Sequence, residues 1–174
     1  MLNNLGEIYN YTKDVLLQGE IDDIAEIIEY LEEGQQRISE RVPIEAPIYT
    51  VTLTTNEITL PADFKKFKKL KVDDVVIEPD EVWAGLMTLP ATYTTGTAKL
   101  YYYKKPTALV STNLAQVPDI DQRYYSTIAQ YAAEMYYMVD DDTEMQQKFT
   151  SKFFESIEIY GNSKNTVSKY KNIW

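Results

Sequence analysis

The chain has 174 residues, 44% hydrophobic and 25% charged, which suits one folded domain and excludes wholesale disorder. Cysteine and histidine are both absent, so disulfides, thiolate zinc sites, cysteine nucleophiles and histidine triads are excluded. The formal charge of −10 argues against a protein that coats nucleic acid, and no apolar run approaches the roughly 20 residues of a bilayer span.

The N-terminus, Met1-Leu2-Asn3-Asn4, lacks the basic and apolar regions of a signal peptide, so the expectation is a protein made and used without secretion. Leu2, Leu5, Ile8, Tyr9, Val15 and Leu16 recur at helical spacing, and Gly19 supplies a stop. Ile21, Ile24, Ile28, Leu31, Gln35, Ile38 and Val42 form an a/d seam in which Gln35 alone is polar. Asp22 and Asp23 open this second helix, Arg37 and Arg41 lie near its end, and Pro43 terminates it. Such a seam reads as the core of an intramolecular bundle.

From about 47 to 105 the period falls to two. Tyr49, Val51 and Leu53 alternate with threonines, and Asn56 turns the chain toward a partner strand from Glu57 to Leu60. Asp73-Asp74 reads as a hairpin turn between Lys69–Val72 and Val75–Glu78. A last strand, Thr97 to Lys105, carries Tyr101-Tyr102-Tyr103 at its centre.

The helical period then returns. Pro118-Asp119 opens a third helix, with Asp119 as its cap and Gln122 completing a capping-box pattern. Tyr124, Ile128, Tyr131, Met135 and Met138 form its seam. Asp140, Asp141 and Asp142 make a corner, Met145, Phe149, Phe153 and Ile157 follow at i, i+4 steps, and Gly161 closes the fourth helix. The fold expected is therefore α+β: a four-helix bundle domain over 1–161, a small antiparallel β insertion between helices 2 and 3, and an extended C-terminal arm over 162–174.

Charge follows the same divisions. Residues 1–41 hold ten acids and three bases, 42–106 eight of each, 107–160 nine acids and three bases, and 161–174 three lysines alone. Asp140 to Asp142 could be offered as a metal site, but successive residues at a helix start diverge, and acids there answer the helix dipole. Lys65, Lys66, Lys68, Lys69 and Lys71, with Phe64 and Phe67 among them, form the one basic cluster in the body. It reads as a solvated, protected strand edge or as contact with an acidic partner or nucleic acid. Tyrosine-rich surfaces meet other surfaces, because tyrosine buries a ring and keeps a polar tip. No glycine-rich phosphate loop and no distinct acid–base carboxylate pair stands out, so no catalytic, cofactor or metal residue is expected. The last segment keeps apolar anchors in a basic stretch: Lys164, Val167, Lys169, Tyr170, Lys171, Ile173 and Trp174 suit docking on an acidic surface.

The layout resembles the head-to-tail adaptor (connector) proteins of tailed bacteriophages. The resemblance covers about residues 1–160. It rests on Ile58-Thr59-Leu60-Pro61-Ala62-Asp63-Phe64, the tyrosine-rich strand closing at Pro106, and Pro118-Asp119 leading to Tyr124-Tyr125. Ala129, Ala132-Ala133, Asp140 to Asp142, and Phe149 with Phe153-Phe154 complete it. It implies a structural virion protein, made in the host cytoplasm and placed in the neck at the portal vertex. Adaptors of this kind form rings, usually of twelve copies, below the portal. The implied partners are other copies of itself, the portal protein and a downstream neck or tail protein, with DNA passing through unread and no membrane contact. Within such a ring, the neutral balance of the β segment between two acidic segments places lateral contacts there, with Lys66, Lys68, Lys69, Tyr101 and Tyr103 as the contact residues, and the C-terminal arm docks on the portal or a neighbour. The alternatives are another neck or tail-completion protein that contacts the adaptor, or a carboxylate-dependent enzyme such as a glycosidase.

Overall fold

Pro43 and Pro106 stand where the hydrophobic period changes, and they also bound the folded units. One compact unit runs from Pro43 to Lys105, and the other combines the residues on either side. The computed structural model describes residues 2–21 and 23–170, with 160–170 as backbone alone. Among these, no helix is long and apolar enough to cross a membrane.

The helical unit begins with α1, Leu5–Asn10, capped by the Asn4 side chain, which accepts from the Glu7 N–H at 2.9 Å. The N–H groups of Leu5 and Gly6, orphaned by their place in the first turn, donate to the carbonyls of Gln116 and Leu114, both at 2.8 Å. The helix then widens into π-helical turns over Tyr11–Leu16. This widening explains why Val15 is exposed and Leu17 buried, against the expected inward pair Val15 and Leu16. The Leu17 N–H reaches back five residues to the Thr12 carbonyl at 2.9 Å, so the next inward position falls one residue later than an α-helix places it. Gln18 and Gly19 both take positive φ, and the Gly19 N–H closes the turn on the Lys13 carbonyl.

Helix α2, Ile24–Arg41, is capped by Asp23, which accepts from the N–H groups of Ala25 and Glu26. Ile27, Ile28, Leu31 and Ile38 are buried. Helix α3, Tyr125–Val139, packs against α2 and against α4, Thr143–Tyr170. With neighbours on two sides, α3 buries more than one stripe: Ala129, Ala132 and Ala133 are covered as well as Ile128 and Tyr131, while Met138 is exposed. Tyr131 meets Phe153 at 5.2 Å between ring centroids, and Tyr137 stacks on Phe149 at 5.8 Å. Asp119 is not the cap of α3. It accepts instead from the Thr107 N–H at 2.7 Å, and Asp121 caps a 3-10 turn, Gln122–Tyr124, that precedes the helix. At the corner between α3 and α4, Asp142 accepts from the Met145 N–H at 3.0 Å.

The β unit overturns the expected small insertion on a four-helix bundle. It contains eight strands in two antiparallel sheets: β1 Ile44–Glu45, β2 Tyr49–Leu53, β3 Glu57–Thr59, β4 Phe64–Val72, β5 Val75–Ile77, β6 Glu81–Trp83, β7 Leu86–Thr88 and β8 Gly96–Lys104. In the five-stranded sheet, β8 pairs with β1 and β2 along one edge and with β4 along the other, and β4 pairs with β5. The second sheet has the order β3-β7-β6. One hydrophobic cluster draws on both, with Leu53, Leu70, Leu100 and Tyr102 from the first and Ile58 and Met87 from the second. A unit with its own core of this kind is a β domain in its own right. The turn at Asn56 also leads elsewhere than expected. β3 leaves β2 and pairs with β7, and the Asn56 side chain donates to the Leu89 carbonyl at 3.1 Å.

The expected extended arm is also corrected. Gly161 does not end α4, whose backbone is helical to Tyr170. The side chains of Lys164, Val167, Lys169 and Tyr170, and all of Lys171, Ile173 and Trp174, lie outside the described residues.

Candidate functional site

Alternation along β8 sorts its side chains between two faces. Ala98, Leu100 and Tyr102 point into the core, leaving Lys99, Tyr101 and Tyr103 on the opposite face, half-buried. Tyr102 is anchored by donating its hydroxyl to Asp63 Oδ1 at 2.9 Å. Across the ladder, Lys66 opposes Tyr103, Lys69 opposes Tyr101, and Lys71 opposes Lys99. The outer face of the sheet is thus a set of lysines laid over tyrosines.

Two irregularities in β4 build this face. Register shifts fall between Phe64 and Lys66 and between Phe67 and Lys69. In a regular strand Lys68 and Lys69 would point to opposite faces, but a bulge sets two residues against one. Lys68 therefore joins Lys69 on the outer side, where its Nζ lies 5.5 Å from the centre of the Tyr103 ring and 2.7 Å from Glu45 Oε1. The hydrogen bond to Glu45 raises the Lys68 pKa. Lys99 pairs with Asp74 at 2.9 Å, which raises the lysine pKa and lowers that of the aspartate. Both pairs are largely solvent-exposed and add little stability. All five sequence-predicted contact residues, Lys66, Lys68, Lys69, Tyr101 and Tyr103, lie on this one face.

Two further surfaces escaped the sequence reading. In the β unit, Trp83 is 73% exposed at the end of β6. Ala84 and Gly85 turn the chain there with φ of 45° and 84°, the twist that suits a two-residue hairpin. Leu60, Pro61, Phe64 and Val82 line the adjoining depression of about 320 Å³, with Lys105 beside them. A tryptophan between alternating residues and an Ala-Gly pair was the available signal, but three-residue strands are too short to show a period.

In the helical unit, a groove of about 420 Å³ lies between α2, α3 and α4. Arg41 covers the Phe154 ring at 5.2 Å, and the Tyr131 hydroxyl donates to Glu33 Oε2 at 3.2 Å. Burial raises the Tyr131 pKa, opposed by the Arg37 hydrogen bond. Glu134, also in the groove, accepts from the Thr150 hydroxyl at 2.8 Å. Two of the groove's carboxylates, Glu33 and Glu134, are thus held by hydroxyls, and Arg37 and Arg41 line the same groove, a mixed-charge aromatic surface suited to binding. Among the described residues no group of three or more carboxylates is arranged to hold a metal ion. Compared with known proteins, the sequence matches no protein-family model and no curated protein.

Proposed function

We propose that this chain is a structural subunit of a ring in the neck of a tailed phage, below the portal and around the DNA exit channel. The resemblance over residues 1–160 supplies the class of protein. The observation that carries the reading is Trp83, presented to solvent on a tight hairpin. A lone monomer gains nothing by holding an indole in water, whereas buried tryptophans dominate the centres of protein interfaces. A hairpin closed by two left-handed residues holds the backbone beneath the indole in place, so docking it costs little backbone entropy. A heterologous ring needs two different patches on each copy, and the chain offers an aromatic knob in one unit and an aromatic groove in the other. The acidic helical segments suit a conduit for DNA, because a wall that repels phosphate lets it slide.

Light scattering and native mass spectrometry over rising concentration test this, alone and with a candidate portal protein. The expected result is a closed oligomer of discrete mass, and a Trp83→Ala variant that folds normally yet needs at least tenfold higher concentration to assemble. A chain that stays monomeric both alone and with portal protein overturns the reading.

A further inference from the structure

The lysine face and one face of α2 are complementary in charge, spacing and aromatic content. On β4, Lys66, Lys69 and Lys71 oppose alternate residues of β8, so they sit about 7 Å apart and span about 14 Å. Lys66 and Lys69 are exposed and, among the described residues, form no ion pair. On α2, Glu26, Glu29 and Glu33 follow at three- and four-residue steps, one row over about 10 Å. Lysine side chains reach far enough to absorb the difference in span. Glu29 is exposed and, among the described residues, also forms no ion pair.

Each row has tyrosine at its centre. Tyr101 and Tyr103 lie half-buried under the lysines, and Tyr30 lies half-buried among the glutamates, donating to Glu26 Oε1 at 2.8 Å. Burial first, then the Glu26 hydrogen bond and the field of Glu26, Glu29 and Glu33, push the Tyr30 hydroxyl up to about 12. The part of that shift that follows burial comes from the three carboxylates and their negative field along this stretch of α2.

We infer that the Lys66–Lys69–Lys71 face of one copy docks on the Glu26–Glu29–Glu33 face of α2 in a second copy. The contact is heterologous and rests on the ring reading, which it deepens by adding a charged pair of surfaces to the aromatic knob and groove. A second copy fits better than nucleic acid. Lys68 and Lys99 are already held by Glu45 and Asp74, which leaves three lysines over about 14 Å; a three-glutamate row of about 10 Å fits within that length, whereas a longer phosphate chain would run on to those two carboxylates. Net repulsion between copies does not forbid the contact, because charges beyond about 8 Å are screened at physiological salt and local complementarity decides. Tyrosines add apolar area at low entropic cost.

Charge reversal tests the pairing by assembly mass. Lys66→Glu with Lys69→Glu, or Glu29→Lys with Glu33→Lys, should each weaken assembly at least tenfold, more at low salt. Carrying both reversals in one chain should restore it. The chain has no cysteine, so Lys69→Cys copies mixed with Glu29→Cys copies give a second, independent readout. They should form a disulfide-linked pair on mild oxidation, and neither should do so alone. Wild-type rings with both reversals harmless, or with no rescue and no cross-link, overturn the inference and leave the ring reading standing. A wild-type chain that never assembles fails the ring reading itself. Reversal that abolishes binding of a single-stranded oligonucleotide without changing assembly would assign the face to nucleic acid and also overturn the inference.

Discussion

Gln35, the single polar member of the α2 seam, donates from Nε2 to the Thr107 carbonyl at 3.0 Å and accepts at Oε1 from the Asp119 N–H at 3.2 Å. The side chain is fully buried. It ties the loop after residue 106 to the helix, where Leu109 also donates its N–H to Glu32 at 2.7 Å.

Gln35→Leu keeps the seam apolar but removes at once the glutamine donor to the Thr107 carbonyl and the glutamine acceptor of the Asp119 N–H. An orphaned buried polar group costs roughly 1–3 kcal/mol, so the variant is expected to lose about 2 kcal/mol. Urea denaturation followed by circular dichroism measures this. A variant as stable as the parent would mean that water replaces the glutamine at both groups.

At Gly34 the backbone of α2 packs directly against α3. A Cβ there would stand 3.2 Å from the Tyr131 Cβ and 3.3 Å from the Ile128 Cα. Gly34→Leu therefore has to push the two helices apart, at about 1–3 kcal/mol or more by the usual cost of overpacking. Its melting temperature should fall, and the near-ultraviolet signal of Tyr131 and its neighbours should change. An unchanged melt would show that α3 shifts freely.

Tyr102 titrates with a consequence for alkaline stability. Burial, and then the hydrogen bond to Asp63, raises its pKa from 10.0 to about 12. The unfolded tyrosine ionises from about pH 10, while the folded one keeps its proton. The unfolded state therefore binds fewer protons in this window, and the stability supplied by Tyr102 is full below pH 10 and lost as pH rises toward 12. Tyr102→Phe should flatten that part of the pH–stability curve and lower neutral stability by about 1 kcal/mol, the usual net worth of one hydrogen bond. Guanidinium melts at pH 8, 10 and 11 make the comparison. Tyr30 and Tyr131 keep their own raised values, so part of the slope remains; a variant curve as steep as the parent's would assign none of it to Tyr102.

Long periodic segments were legible in the sequence. Ile28, Leu31 and Ile38 of α2 and Phe149, Phe153 and Ile157 of α4 are buried at the spacing that marks them, because a helix of several turns repeats its inward position often enough to be read. The hairpin turn at Asp73-Asp74 was equally visible, and both residues take positive φ. The lysine cluster and the three tyrosines at the centre of a strand were visible as composition.

Tertiary structure alone decided the rest. Strands β6 and β7 have three residues each, too few for alternation to show, so the second sheet and the shared core it creates were missed. Lys68 shares a face with Lys69 only because a bulge offsets their register, and a bulge depends on the partner strand rather than on local sequence. Leu17 replaces Leu16 in the core because the π-helical turns change the period at a place where composition does not. Gly161 has helix on both sides although glycine so often ends one. Local sequence determined where the chain prefers helix, strand or turn; which strand pairs with which, and which face that pairing leaves outward, depends on contacts between residues far apart in the chain.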